Sequence, residues 1–191
     1  YLLDVQDKKN LKFTEDFKFY KTHSGNFSIK DNFFSSEENI RGIIYMIRDP
    51  RDVCISWAKH SGRNYDESIN FMTNELQSIY WKEGKKNLFS DNQRPLSFLS
   101  SWDKHALSWT SENWRLPLLV LRFEDLVYKK EDTILKIVNF FKENYGFKFN
   151  NLQNKISNIL KTTSFTKLKN EESKIGFTEA PEGKTFFSSG K

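Results

Sequence analysis

Short runs of apolar residues alternate along the chain with longer stretches in which apolar residues recur every three or four positions. Two runs of consecutive apolar residues, Ile43–Ile47 and Leu118–Leu121 extending to Phe123, predict strands that are buried on both faces. A third and shorter run, Phe17–Tyr20, predicts another strand.

Apolar stripes with helical spacing predict helices between and after these strands. The stripes cover three regions of the chain: Ile69–Tyr80, Trp102–Trp109 and Ile134–Phe141. Gly146 stands where the last of these helices would end, since glycine readily adopts the left-handed conformation of a helix C-cap. Strands that alternate with helices predict an α/β fold with a mainly parallel sheet flanked by helices.

The composition is that of a single folded domain. Of the 191 residues, 37% are hydrophobic and 16% are aromatic. Disordered chains contain far fewer of these residues, which are normally buried in a folded core. The net charge of +5 is mild and is compatible with any anionic partner.

Cysteine use and hydropathy favour a reducing, cytoplasmic location. Cys54 is the only cysteine, so an internal disulfide and a zinc site built on paired cysteines are excluded. No apolar run reaches the ~18 residues of a membrane span, and residues 1–10 are too charged for a signal peptide.

The residues after the first strong strand predict a helix with an anion site at its start, where an α/β sheet binds its ligands. Asp49 is a favourable N-cap, Pro50 suits the first helical position, and Asp52 occupies the place of a capping-box acid. The free N–H groups of such a helix favour an anion, and Arg48 beside them can donate two hydrogen bonds to a phosphate. Ser56, about two turns further on, can add a hydroxyl donor. If this segment has only a structural role, Arg48 is an ordinary ion-pair partner and Ser56 is a surface residue.

The stretch from Tyr45 to His60 resembles a segment of the sulfotransferases that depend on PAPS, 3′-phosphoadenosine 5′-phosphosulfate. It reads Tyr-x-x-Arg-Asp-Pro-Arg-Asp-Val-x-x-Ser-x-x-x-His and matches the family's spacing without a gap. The resemblance implies that Arg48 and Ser56 bind the 3′-phosphate of PAPS. It also implies a three-layer fold of the P-loop nucleotide-hydrolase type, with a mainly parallel sheet flanked by helices.

A second match, Tyr20-Lys21-Thr22-His23, resembles the family's Lys-Thr-His segment. The resemblance implies that His23 is the catalytic base and that Lys21 supports the transition state. These residue types also suit sulfuryl transfer. Like phosphoryl transfer, it needs cationic side chains around the moving group and a base near the acceptor proton. An imidazole with an ordinary pKa of about 6.5 can take that proton at neutral pH. Outside such a series, a histidine after a strand more often has a structural role.

Two further segments match the family in the same order along the chain. Residues 121–126 resemble its Tyr-Glu-Asp-Leu turn and imply that Phe123 lies near the adenine, with a ring but no hydroxyl. Residues 162–171 resemble its Thr-Ser-Phe segment and imply that Thr163 and Phe165 approach the adenine, one with a hydroxyl and the other with an aromatic face. Without the resemblance, Phe123 would be a core residue and the acids after it a solvated turn.

One further histidine and the single cysteine have open roles. His105 falls where family members commonly place a histidine near the acceptor cleft, and a purely structural role is weighed equally. Cys54 is expected to be a small packed residue, since no base or cation is arranged to activate its thiol.

The match is incomplete at both ends. The family's phosphosulfate-binding loop, Pro-Lys-Ser-Gly-Thr-Thr-Trp, is not found in residues 1–20, which contain no glycine. Residues 186–191 resemble the start of its Phe-x-Arg-x-Gly segment, which implies that Gly190 binds the 3′-phosphate. Ser188 takes the place of that arginine, which removes a charge-assisted contact worth about 1.5 to 3 kcal/mol. We expect a single sulfotransferase domain over residues 1–191, truncated at its N-terminus and at its C-terminus.

The resemblance predicts an enzyme that transfers a sulfuryl group from PAPS to a hydroxyl or amine of a small molecule or glycan. PAP, 3′-phosphoadenosine 5′-phosphate, would be the second product, and neither a metal ion nor a nucleic-acid partner is expected. Two alternatives stay open. A kinase-like phosphoryl transferase would need a Walker-type loop and a magnesium-binding acid, and neither is visible. A non-catalytic nucleotide- or nucleic-acid-binding module would use the basic, aromatic-rich surface.

Overall fold

The structure is a computed structural model that describes residues 17–29, 32–80, 96–111, 114–177, 180 and 185–187. The strands within these residues are β1 (Ser28–Ile29), β2 (Asn32–Phe33), β3 (Ile43–Ile47), β4 (Ser78–Tyr80), β5 (Leu96–Phe98) and β6 (Leu118–Arg122). The helices within the same residues are α1 (Pro50–Ser61), α2 (Tyr65–Thr73), α3 (Trp102–Thr110), α4 (Phe123–Tyr128), α5 (Lys130–Tyr145), α6 (Leu152–Thr162) and α7 (Phe165–Ile175). No helix in this part of the chain is long and apolar enough to cross a membrane.

Both strongly apolar runs form strands, as predicted. The expectation that both faces of these strands are buried is wrong, because Ile44, Met46 and Val120 are 41%, 50% and 44% exposed. β3 and β6 lie side by side in a two-stranded parallel sheet, and the Ile43 N–H donates to the Pro117 carbonyl at 2.9 Å. Ile43 and Leu121 are buried. β6 ends at Arg122 rather than at Phe123, because Phe123 begins the helix α4. The alternation of strands and helices around a parallel pair confirms the α/β class.

The strand predicted at Phe17–Tyr20 is wrong. These residues have no regular secondary structure, and the side chains of Phe19 and Tyr20 are 69% and 63% exposed. No strand pairs with them among the described residues. A short apolar run is stable as a strand only when it has a sheet partner and a face to bury.

The helix predicted over Ile69–Tyr80 is correct only in its first part. α2 ends at Thr73, and a turn follows in which the Asn74 side chain accepts the Leu76 N–H at 3.0 Å. β4 then pairs with β5 in an antiparallel sheet. Because local side-chain hydrogen bonds of asparagine compete with helix formation, the apolar residues after the turn form a strand instead.

The other two predicted helices are confirmed. α3 covers the stripe Trp102–Trp109, and α5 covers Ile134–Phe141. α5 also ends where predicted, since Gly146 adopts a left-handed φ of 69° and its N–H donates back to the Lys142 carbonyl.

One compact unit is built from residues 1–45 and 69–118 and packs around Trp109 of α3. The Trp109 indole is buried and donates its Nε1–H to the Ser24 carbonyl at 3.0 Å. It also stacks on Trp114, with the ring centroids 6.0 Å apart. The helix thereby holds the backbone that follows the predicted Lys-Thr-His segment.

A second compact unit, residues 46–68 and 119–191, has its core where α5 packs on α6. Ile134, Val138 and Ile156 are buried there, and Ile156 is only 1% exposed. This core supports the helices α4 and α7, whose first turns carry predicted adenine contacts.

Candidate functional site

The segment that carries Lys21 and His23 is irregular and is held by hydrogen bonds to its backbone. The Ser24 N–H donates to Thr22 Oγ1 at 3.0 Å, which closes a local turn around His23. The Gly25 N–H donates to a backbone carbonyl of β5 at 2.9 Å. The side chains of Lys21 and His23 are exposed. The backbone is therefore anchored while both predicted catalytic side chains stay accessible.

His105 contacts this segment and β3 through its two ring nitrogens. Its Nε2 lies 3.2 Å from the His23 carbonyl oxygen, and its Nδ1 lies 3.0 Å from the Tyr45 hydroxyl oxygen. A carbonyl only accepts, so Nε2 carries the proton and Nδ1 accepts from the Tyr45 O–H. The structure thus brings His23 and His105 together, through the His23 backbone.

Burial keeps this pair of side chains neutral. It lowers the pKa of His105, although the bond to the His23 carbonyl opposes that shift. It raises the pKa of Tyr45 to about 12. At neutral pH the imidazole is therefore uncharged and the phenol keeps its proton.

In the second unit, Arg48 directly follows β3 and lies over the ring of Phe123. The guanidinium carbon is 4.5 Å from the ring centroid, a cation–π contact. The Arg48 Nε–H is buried and has no hydrogen-bond acceptor among the described residues. A buried donor without an acceptor costs about 1 to 3 kcal/mol, so an anionic oxygen placed against Nε would be stabilised.

α1 begins at Pro50 with Asp49 as its N-cap, as predicted. The Asp49 carboxylate pairs with the Arg51 guanidinium at 2.5 Å and accepts the Arg51 N–H at 2.9 Å. These bonds hold the pKa of Asp49 below its ordinary range. One N–H of the first turn is therefore already occupied by a side chain of the protein.

The second capping bond comes from a residue far along the chain. The Asp49 N–H, which the capping-box pattern assigned to Asp52, donates instead to Glu124 Oε1 at 2.8 Å. Accepting this N–H lowers the pKa of Glu124. Glu124 therefore joins the start of α4 to the start of α1, whereas the sequence assigned no partner to this acid.

The other two predicted residues on α1 are placed differently. Ser56 is exposed on the second turn, and its hydroxyl makes no hydrogen bond with another described residue. It is not joined to Arg48 by a direct bond. The Cys54 thiol is half-buried and lies 3.9 Å from the Tyr65 carbonyl oxygen, in agreement with a packed structural role.

Two of the three predicted adenine contacts, Thr163 and Phe165, lie at the junction of α6 and α7. Thr163 caps the end of α6, where its hydroxyl donates to the Ile159 carbonyl at 2.7 Å and its own carbonyl accepts the Lys130 ammonium at 2.7 Å. Phe165 begins α7 and is 36% exposed. The hydroxyl of Thr163 can still accept a hydrogen bond, and the Phe165 ring is partly exposed.

A glutamate holds the segment that approaches Phe165 from the C-terminal part of the chain. The Glu172 carboxylate accepts the N–H groups of Phe186 and Phe187 at 2.5 and 2.9 Å. The Phe187 ring meets Phe165 edge to face with centroids 6.2 Å apart. Gly190, the last predicted 3′-phosphate contact, lies outside the described residues, as does Ser188.

Three residues of this arrangement were not singled out from the sequence: Tyr45, Glu124 and Glu172. Each acts through a partner that is distant in sequence, so a single chain without a structure carries little signal for them. The tyrosine could have been noticed because it opens the Arg-Asp-Pro motif. No group of three or more His, Cys, Asp or Glu side chains that could hold a metal occurs among the described residues.

The sequence is similar to known sulfotransferases along nearly its whole length. Residues 4–191 match the family model of the sulfotransferase domain. The chain is 32% identical to Sulfotransferase 2A6 of Mus musculus over 139 residues, which are 72% of this chain and 41% of that protein. It is 26% identical to Luciferin sulfotransferase of Photinus pyralis over 185 residues, 92% of this chain and 44% of that protein. The chain therefore spans less than half the length of both curated relatives.

A solved structure shows the same fold. The chain resembles mouse sulfotransferase SULT7A1 complexed with PAP, with a TM-score of 0.53 and 17% sequence identity. The match covers 78% of this chain and 49% of the mouse chain. At this identity the likeness concerns the fold alone, and it confirms the predicted P-loop-like sulfotransferase fold.

Proposed function

The chain belongs to the sulfotransferase domain family, and we propose that it supplies the 3′-phosphate site and the catalytic base of a PAPS-dependent sulfotransferase. The acceptor would be a hydroxyl or amine of a small molecule or glycan. One observation carries the proposal: the guanidinium of Arg48 is held against Phe123 while its buried Nε–H has no acceptor among the described residues.

The donor side of the proposal depends on Arg48. A 3′-phosphate is an anion that can accept two forked hydrogen bonds, and arginine is the side chain best suited to donate them. The Phe123 ring covers one face of the guanidinium and leaves the in-plane N–H groups to a ligand. Ser56 would add a hydroxyl from α1. The mouse sulfotransferase SULT7A1, whose fold this chain resembles, was solved in complex with PAP, which supports this ligand class.

The adenine would lie against the start of α7. The partly exposed ring of Phe165 would stack on the purine, and the Thr163 hydroxyl would accept a hydrogen bond. Phe123 contacts Arg48, so it serves the nucleotide at least partly by orienting that arginine. Gly190 would contribute a backbone N–H to the 3′-phosphate.

The base would be His23, with Lys21 beside it. In the proposed step the acceptor oxygen or nitrogen forms a bond to sulfur while the bond from sulfur to the donor's phosphate oxygen breaks. His23 takes the proton that the acceptor loses, and PAP leaves with the electron pair of the broken bond. The Lys21 ammonium would offset the negative charge of the transferring group.

The test is the affinity of the full-length protein for PAP and for adenosine 5′-phosphate, which differ only in the 3′-phosphate. Calorimetry should give at least a tenfold lower Kd for PAP, about the worth of one charge-assisted contact of 1.4 kcal/mol or more. Equal affinities would overturn the proposal. Tight retention on DNA that PAP does not displace would instead support a nucleic-acid-binding module.

A further inference from the structure

Tyr45, His105 and the His23 carbonyl form one hydrogen-bonded chain within the first unit. The Tyr45 O–H donates to His105 Nδ1 across 3.0 Å, and His105 Nε2–H donates to the His23 carbonyl oxygen across 3.2 Å. The two rings also face each other, with centroids 5.9 Å apart and planes inclined by 34°. Tyr45 lies on β3 and His105 lies on α3. These hydrogen bonds therefore connect the irregular segment around His23 to a strand and a helix.

These two bonds occupy both nitrogens of the His105 ring. A neutral imidazole has one donor and one acceptor, and here the donor faces a backbone carbonyl and the acceptor faces a phenol. Neither nitrogen is left to bind an acceptor molecule. Of the two roles weighed for His105, an acceptor-cleft contact and a structural role, these bonds favour a role inside the protein.

We propose that Tyr45 and His105 are positioning residues for the His23 base. They fix the His23 carbonyl, and with it the backbone from which the exposed imidazole extends. The proposal rests on the proposed function, in which His23 takes the acceptor's proton. A base displaced by about 1 Å can lose about a hundredfold in rate, so an anchor for its backbone has a direct kinetic consequence.

The experiment compares variants of the full-length protein in turnover with PAPS and in PAP affinity. The acceptor probe is a panel of one phenol, one alcohol, one amine and one glycan, from which the best acceptor of the wild type is used. Tyr45→Phe removes the hydroxyl and keeps the ring, and should lower kcat about three- to tenfold. Tyr128→Phe is the matched control, since Tyr128 is 75% exposed on α4, and it should change nothing.

Two substitutions of His105 distinguish its hydrogen bond to the His23 carbonyl from its hydrogen bond to the Tyr45 hydroxyl. The amide of His105→Gln reaches about as far as Nε2 and can still donate to the His23 carbonyl, whereas the shorter amide of His105→Asn reaches only the Nδ1 position. We expect His105→Gln to keep kcat within about threefold of wild type and His105→Asn to lose about tenfold. The acceptor KM, the PAP Kd and the thermal midpoint should stay close to wild type in each variant.

The outcomes are distinct. Equal kcat for wild type, Tyr45→Phe and His105→Asn would overturn the positioning role. A higher acceptor KM at unchanged kcat in the His105 variants would overturn it as well, because it would identify His105 as an acceptor contact. A wild type that turns over no acceptor would instead contradict the proposed function. Ring ¹⁵N spectra supply a readout that needs no activity: neutral His105 with its proton on Nε2 supports the hydrogen-bonded chain, and a proton on Nδ1 overturns it.

Discussion

Arg48, the proposed 3′-phosphate contact, has a guanidinium that the protein itself orients. The Phe123 ring fixes its orientation by a cation–π contact, and its buried Nε–H lacks an acceptor among the described residues. Orientation by the protein reduces the entropy that a ligand must otherwise spend on ordering the side chain. The motif around Arg48 identified the residue, but only the structure shows the ring beneath it.

At the same scale, His23 should be needed for turnover and not for donor binding. His23→Ala removes the proposed base and should lower kcat at least about a hundredfold, the usual contribution of general base catalysis. PAP affinity should stay within about twofold of wild type, because the backbone bonds around residue 23 do not involve the imidazole. Calorimetry and steady-state kinetics on the same protein preparation measure the two quantities. Parallel losses in both would remove His23 from the base role.

Among the elements, the start of α1 depends on Glu124. Glu124→Ala leaves the Asp49 N–H without its acceptor and should lower the free energy of unfolding by about 0.5 to 1.5 kcal/mol. Glu124→Gln keeps an acceptor oxygen in the same place and should lose less. Urea unfolding of both variants at neutral pH measures the difference. If Gln and Ala destabilise equally, the hydrogen bond is not what Glu124 contributes.

This capping bond also predicts a pH dependence. The pKa of Glu124 is lowered because its carboxylate accepts the Asp49 N–H, so the charged form is favoured in the folded state. The resulting stability is fully present above the ordinary glutamate pKa of about 4.3 and is lost as the pH falls through the lower folded value. The stability difference between wild type and Glu124→Gln should therefore shrink on acidification below pH ~4.3. A difference that grows on acidification would contradict the assignment.

The sequence predicts elements well where the signal is local. Proline, an N-cap aspartate and a C-cap glycine located the start of α1 and the end of α5, because capping involves neighbours in the chain. Consecutive apolar residues located β3 and β6 for a similar reason. The motifs around Arg48 and His23 are local patterns as well, so a single sequence is enough to propose these residues as site residues.

Features set by distant partners could not be read in this way. The run Phe17–Tyr20 has the composition of a strand but no described partner strand, and the apolar residues after Asn74 pair with β5 instead of continuing α2. Glu124 and Tyr45 likewise act on residues that only the fold brings close. Periodicity cannot distinguish these cases, since it contains no information on pairing.

For the whole molecule, the two compact units carry different parts of the proposed chemistry. The first holds the proposed base and the residues proposed to position it, and the second holds the groups proposed to bind the nucleotide. Substitutions of these residues in the first unit should therefore lower the turnover rate. Substitutions of these residues in the second unit should lower the affinity for the donor.

The most direct measurement is the preference for PAP over adenosine 5′-phosphate in wild type and in Arg48→Gln of the full-length protein. Wild type should bind PAP at least about tenfold more tightly, and Arg48→Gln should remove most of that preference while leaving the affinity for adenosine 5′-phosphate within about twofold. Arg51→Gln is the matched control, because that neighbouring arginine is 86% exposed and pairs with Asp49. An Arg48→Gln protein that keeps the wild-type preference for PAP would contradict the assignment of Arg48 to the 3′-phosphate.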